Sequence, residues 1–214
     1  MNSSIVVVVW LVILNAVMFT AQLFLGDKVL LYLALWPPGD HVVASIGTRT
    51  FSAGFQPLQL LSYGFLHGDF FHIGINLIGL VLFGPLLERC MGAGHFLFYY
   101  CFCLVCAGVA QLLVGLGDAQ AAATIGASGA IYGLLAAAAS LYPERKLLLI
   151  PLPGELEART LAWLLAGISV LHGVFGTNAG VAHFAHLGGM LGGYLLVQYW
   201  RGRLPIQPNR ILEP

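Results

Sequence analysis

Between Ser4 and Leu25 the chain carries no charged side chain, and an apolar run of that length matches the roughly 20 residues a helix needs to cross a bilayer. Five further apolar stretches follow between polar or Gly/Pro punctuation: Pro57 to Pro85, His95 to Leu116, Ile125 to Tyr142, Thr160 to Phe175 and Val181 to Trp200. Lipid offers no hydrogen bonds to an open backbone, so such runs fold as helices. The expected fold class is all-α, a polytopic membrane protein with a bundle of six transmembrane helices, and residues 1–214 read as a single membrane domain. Charged residues are 8% of the chain, against roughly 25% in soluble domains. The net charge is zero and no basic or acidic block stands out, which excludes nucleic-acid binding as a theme. The first run is too long for a signal-peptide core and reads as an uncleaved span.

Basic residues set the orientation. With both termini cytoplasmic, Arg89, Arg145, Lys146, Arg159, Arg201, Arg203 and Arg210 lie inside and only Lys28 and Arg49 outside, as the positive-inside rule requires. Spans two, four and six then begin at the same outer depth. The segment 26–57 holds Trp36, Pro37, Pro38 and Gly39, then Thr48, Arg49 and Thr50, and its Leu and Val content places it at the membrane interface. The catalytic core is expected within about 57–200.

Polar residues inside a membrane are costly and mark function. Span two offers His67, His72 and Asn76, span four Ser128 and Tyr132, and span six His183 and His186, with no carboxylate deep in the spans. Gly126-Ala127-Ser128-Gly129 places a serine between glycines at the start of a helix. Gly126 and Gly129 admit a close backbone, and the helix N-terminus at Ser128 presents unpaired N–H groups to a developing oxyanion. Close helix packing by small residues is the other reading of the same pattern. Ala185-His186-Leu187-Gly188-Gly189, with Gly193 one turn on, puts His186 in line with a glycine ridge at Gly189 and Gly193. That ridge lets span six approach span four closely enough for an imidazole to reach a serine hydroxyl.

These motifs in order resemble the rhomboid family of intramembrane serine proteases: Leu66-His67-Gly68-Asp69-Phe70-Phe71-His72-Ile73-Gly74-Ile75-Asn76, then Glu88, Arg89 and Gly92, then Gly126-Ala127-Ser128-Gly129 with Tyr132, then Ala185-His186 with Gly189 and Gly193. The resemblance covers Gln56 to Leu196. It implies a six-helix rhomboid-like bundle, Ser128 as nucleophile, His186 as base, His72 and Asn76 as oxyanion donors, and Tyr132 as a ring packed on the base. Many family members carry a Trp-Arg pair in the first loop, whereas here Arg49 follows Thr48.

Helical spacing adds to this reading. His72 and Asn76, four apart, present two donors to one side, and Ser128 and Tyr132 share the same relation. His67, nine residues before Asn76, falls on the opposite face and reads as a structural hydrogen-bonding partner. His183, three residues before His186, is the rival base, and the alignment with Gly189 and Gly193 favours His186. A Ser-His dyad without a carboxylate is expected to cut transmembrane protein substrates near the outer face.

Other chemistries fit less well. Gly115-Leu116-Gly117-Asp118 has the Gly-x-Gly-Asp of aspartyl intramembrane proteases, which need a second carboxylate. His183-x-x-His186 has no Glu between for a zinc protease. Cys101, Cys103 and Cys106 read as small packing residues. No cofactor and no metal are expected. The partners are transmembrane protein substrates and the lipid bilayer, and the location is the plasma (bacterial inner) membrane. The alternative function is a non-proteolytic rhomboid-like protein that binds membrane segments.

Overall fold

The computed structural model describes residues 5–39, 41–46, 49–116, 122–148, 154–175, 182–208 and 211–212. Eight α-helices stand among the described residues. Helix α1 (Val6–Leu25) is followed by the short α2 (Asp27–Leu33), then by an antiparallel hairpin of β1 (His41–Ile46) and β2 (Arg49–Ala53). A short α3 (Gln59–Ser62) and a 3₁₀ turn (Tyr63–Phe65) lead into α4 (Phe70–Met91), α5 (Ala93–Val114) and α6 (Ser128–Leu141). A second hairpin, β3 (Lys146–Leu148) with β4 (Glu155–Glu157), precedes α7 (Ala158–Phe175) and α8 (His183–Trp200). The chain is thus mostly helical, with two small hairpins that the hydropathy pattern did not anticipate.

Four helices, α1, α4, α5 and α7, are long and apolar enough to cross a membrane. Helix α6, with 14 residues, reaches only about 21 Å at 1.5 Å per residue, and α8 carries two histidines and four glycines in its 18 residues. Large apolar side chains such as Trp10, Phe24, Phe71 and Trp163 lie exposed on the other helices, the arrangement expected where lipid rather than water covers the surface. Helix α6 is the opposite case. Ala130, Leu134, Leu135, Ala137 and Ala138 are fully or almost fully buried, and α4, α5, α7 and α8 all pack against it.

Glycine makes that close packing possible. A Cβ on Gly189 of α8 would collide with the Gly129 carbonyl oxygen of α6 and stand 2.7 Å from its carbon, and one on Gly193 would stand 2.9 Å from the Gly133 Cα. The two backbones therefore touch along Gly129/Gly133 and Gly189/Gly193, the contact that small-xxx-small patterns allow in membranes. Cys103 of α5 lodges against Gly133 and Gly193, and Cys106 against Gly192, so these thiols serve as packing groups.

Span two begins later than its hydropathy indicates. Residues from Pro57 onward form α3 and the 3₁₀ turn, and the long helix starts only at Phe70, where the Asp69 side chain accepts from the His72 N–H at 2.8 Å as an N-cap. It then continues past Pro85 to Met91. Near its end lies Glu88, which the sequence places at a span terminus but which is 2% exposed. Its carboxylate accepts from Val7 N and Val8 N of α1 at 2.9 Å each, satisfying first-turn donors that lipid could not. Glu88→Ala is expected to lower stability by about 3 kcal/mol, as two charge-assisted hydrogen bonds disappear and two donors are left bare. Thermal unfolding in detergent checks this.

Candidate active site

Ser128 is the first residue of α6. Gly126 before it holds φ +121°, a conformation L side chains rarely adopt, and a Cβ there would lie 2.7 Å from His72 Nε2 and 3.8 Å from Ser128 Oγ. Glycine is needed at this position on both counts. The turn is fastened by Gly126 N donating to Tyr63 O at 2.9 Å, and Tyr63 in turn donates its hydroxyl to Leu104 O on α5 at 2.9 Å.

His186 stands in the first turn of α8, its backbone N–H donating to Ala182 O at 3.2 Å. Its Nε2 lies 2.7 Å from Ser128 Oγ. Residues 58 positions apart are brought to hydrogen-bond distance by the glycine contact one turn below. The Tyr132 ring stacks on the imidazole with centroids 4.3 Å apart and planes 12° from parallel. Ser169 of α7 donates to the Tyr132 hydroxyl over a long 3.5 Å. His186 Nδ1 is buried without a hydrogen-bond partner among the described residues. Among the described residues the Tyr132 face, and no carboxylate, lies against the ring.

His72 lies two residues into α4. Its Nδ1 accepts from Gly68 N at 3.3 Å, which assigns the ring proton to Nε2, the nitrogen beside Gly126 and the serine turn. Asn76 is buried one turn further along, its amide nitrogen donating to His72 O at 3.0 Å. An amide nitrogen has two hydrogens, so one remains for another acceptor.

His67 is placed differently from the helical-wheel reading. His67 precedes α4, so it has no helix face. Its ring stands 5.1 Å from that of His72 and 6.5 Å from Phe19. The hydrogen bonds to α1 are made by its backbone: His67 N donates to Gln22 Oε1 at 2.9 Å, and Gln22 Nε2 donates to His67 O at 3.0 Å. Both ring nitrogens are buried without a partner among the described residues. His183 is buried and meets His186 edge to face, centroids 6.1 Å apart, with His172 of α7 on its other side at 5.3 Å.

Several residues that hold the site were not singled out by sequence. Gln59 is buried and its amide binds four backbone groups: Oε1 accepts from Trp36 N and Gln56 N, and Nε2 donates to Tyr32 O and Gly54 O. Gln22 and Ser169 share one signal, a lone polar side chain in an apolar run. Gly117 and Asp118 of the aspartyl-like motif, and Thr48 in the first loop, lie outside the described residues. Among the described residues no group of three or more His, Cys, Asp or Glu side chains is placed to hold a metal.

The rhomboid domain family model matches residues 54–203, a range that contains His72, Asn76, Ser128, Tyr132 and His186. The chain is 31% identical over 165 residues to the mitochondrial Rhomboid protein 1 of Saccharomyces cerevisiae, covering 73% of this chain and 45% of that protein. It is 32% identical over 146 residues to the chloroplastic Rhomboid-like protein 11 of Arabidopsis thaliana, 65% of this chain and 51% of that one. It is 28% identical over 179 residues to the rhomboid protease GlpG of Yersinia pestis, 81% of this chain and 59% of that one. The chain thus spans about half the length of these curated relatives. Together with the membrane-length helices, the match over residues 54–203 establishes that this multi-pass membrane protein belongs to the rhomboid family.

Proposed function

We propose that the chain is an intramembrane serine endopeptidase that cuts transmembrane protein substrates near the outer face of the membrane by a Ser128–His186 dyad. The observation that carries this reading is the 2.7 Å contact between His186 Nε2 and Ser128 Oγ, the geometry a general base needs. Ser128 Oγ attacks the scissile carbonyl carbon while His186 Nε2 takes the hydroxyl proton. The proton passes to the leaving amine nitrogen, and an ester to Ser128 remains. Water then attacks the ester, gives a proton to His186, and the returning proton restores Ser128. The Nε2–H of His72, an amide hydrogen of Asn76 and the Ser128 backbone N–H are the donors for the oxyanion. Tyr132 orients the base in place of an acid.

In this reading α6 and α8 cross the membrane together with α1, α4, α5 and α7, giving six spans in one membrane domain. The shortness of α6 and the polarity of α8 are tolerated because the two pack on each other and on α5 and α7. The excess of basic residues on one side, seven against two, supports a plasma-membrane orientation with both termini cytoplasmic and the serine end at the outer leaflet.

A fluorophosphonate serine probe tests the nucleophile. Labelling of purified wild type that disappears in Ser128→Ala is expected, and folded protein that takes no label would favour a non-proteolytic binder of membrane segments. His72→Ala and Asn76→Ala are each expected to reduce kcat by about 10²-fold or more with little change in KM, since these donors act on charge that develops in the transition state. Steady-state cleavage of one substrate checks both.

A further inference from the structure

At the end of α6 opposite Ser128, a groove of about 650 Å³ lies between α4 and the segment leading to β3. Val81, Leu82, Pro85 and Leu86 of α4 form its apolar wall, and Arg89, Tyr142 and Arg145 bring polar tips to it. Along α6 it stands about 20 Å from the serine, so the proposed chemistry makes no use of it. Three other cations at this end are occupied. Lys146 pairs with Glu155 at 3.9 Å, Arg159 with Glu157 at 2.9 Å, and Arg201 donates to Ser140 O at 2.6 Å. Arg89 and Arg145, which share the groove, have neither a carboxylate nor a carbonyl partner for their guanidinium groups among the described residues.

Two uncommitted guanidinium groups and a tyrosine hydroxyl at the rim of an apolar channel form an amphipathic site with a defined polarity. Guanidinium binds phosphate oxygens in a forked, charge-assisted geometry. Val81, Leu82, Pro85 and Leu86 extend from that rim along α4 toward the membrane interior, where an acyl chain would lie. A soluble phosphate ester would leave this apolar wall unused, and a neutral lipid would leave the arginines unpaired. We propose that this groove binds one anionic glycerophospholipid, its phosphate between Arg89 and Arg145 and an acyl chain against α4, in the manner of basic pockets between membrane helices. The bound lipid joins the inner end of α4, which carries His72 and Asn76 at its outer end, to the segment that follows α6.

The test uses the full chain in neutral detergent, with native mass spectrometry reading the lipid retained from equal amounts of phosphatidylglycerol and phosphatidylcholine with identical acyl chains. Retention of phosphatidylglycerol over phosphatidylcholine by roughly tenfold or more is expected, from two basic contacts. The Arg89→Gln/Arg145→Gln double variant should bring the two lipids to parity while its circular dichroism stays unchanged. Arg203→Gln, a basic residue at the same end outside the groove, should keep the preference. Parity in the wild type would overturn the proposal, and needs no variant to fold. Equal loss in Arg203→Gln would assign the preference to diffuse surface charge, and displacement of the lipid by millimolar inorganic phosphate would assign the site to a free anion. Either result contradicts it.

Discussion

Ser128→Ala, His186→Ala and the double variant are expected to be equally inactive, each at least about 10⁴-fold below wild type in single-turnover cleavage. A nucleophile and its base act as one unit, so removal of either forfeits the activation and removal of the second adds little. The 2.7 Å contact between the two side chains is the basis for that non-additivity. His183→Ala should retain substantial activity, because its ring meets His186 by an edge at 6.1 Å and has no contact with the serine among the described residues. A dead His183→Ala beside an active His186→Ala would move the dyad back by one turn of α8. Additive losses in the double variant would show that the two residues act independently.

Gly189→Ala is expected to be the most damaging single methyl group that can be added to the bundle. The new Cβ would overlap the Gly129 carbonyl of α6, and a backbone carbonyl cannot swing aside as a side chain can. The helices must separate, and overpacking of this kind costs about 3 kcal/mol or more. The separation would also draw His186, one turn away, from Ser128. Both Tm and turnover should therefore fall together. Gly167→Ala on α7 is the matched control: a Cβ there meets nothing within 4 Å, so it should be neutral or stabilise by about 0.5–1 kcal/mol. If Gly189→Ala left both readings at wild-type values, the close contact of α6 and α8 would be refuted.

The parts of this protein that were legible in sequence are those where chemistry and periodicity coincide. Ser128, Tyr132, His186, Gly189 and Gly193 were readable because a polar or glycine residue in an apolar span needs a reason, and helical spacing put those reasons on one face. His67 shows where the method stops. Its spacing from Asn76 carries facial meaning only if both lie on one helix, and the Asp69 cap starts α4 only at Phe70, so a wheel drawn across that boundary has no meaning. The two hairpins escaped because segments rich in Leu and Val near a membrane look alike by composition whether they form strands or helix. Glu88 was legible as a charge but not as a cap, since its partners Val7 and Val8 are 81 and 80 residues away and no local pattern connects them.

The nucleophile remains the claim on which the functional account depends most. Wild-type protein and Ser128→Ala, reconstituted side by side with a single-span test substrate that carries small residues in its outer half, provide the direct measurement. The account predicts one cut in the outer half of the substrate span by wild type and none by Ser128→Ala at equal folded amounts. Intact substrate after incubation with folded wild type, or the same cut at the same rate with Ser128→Ala, would contradict it.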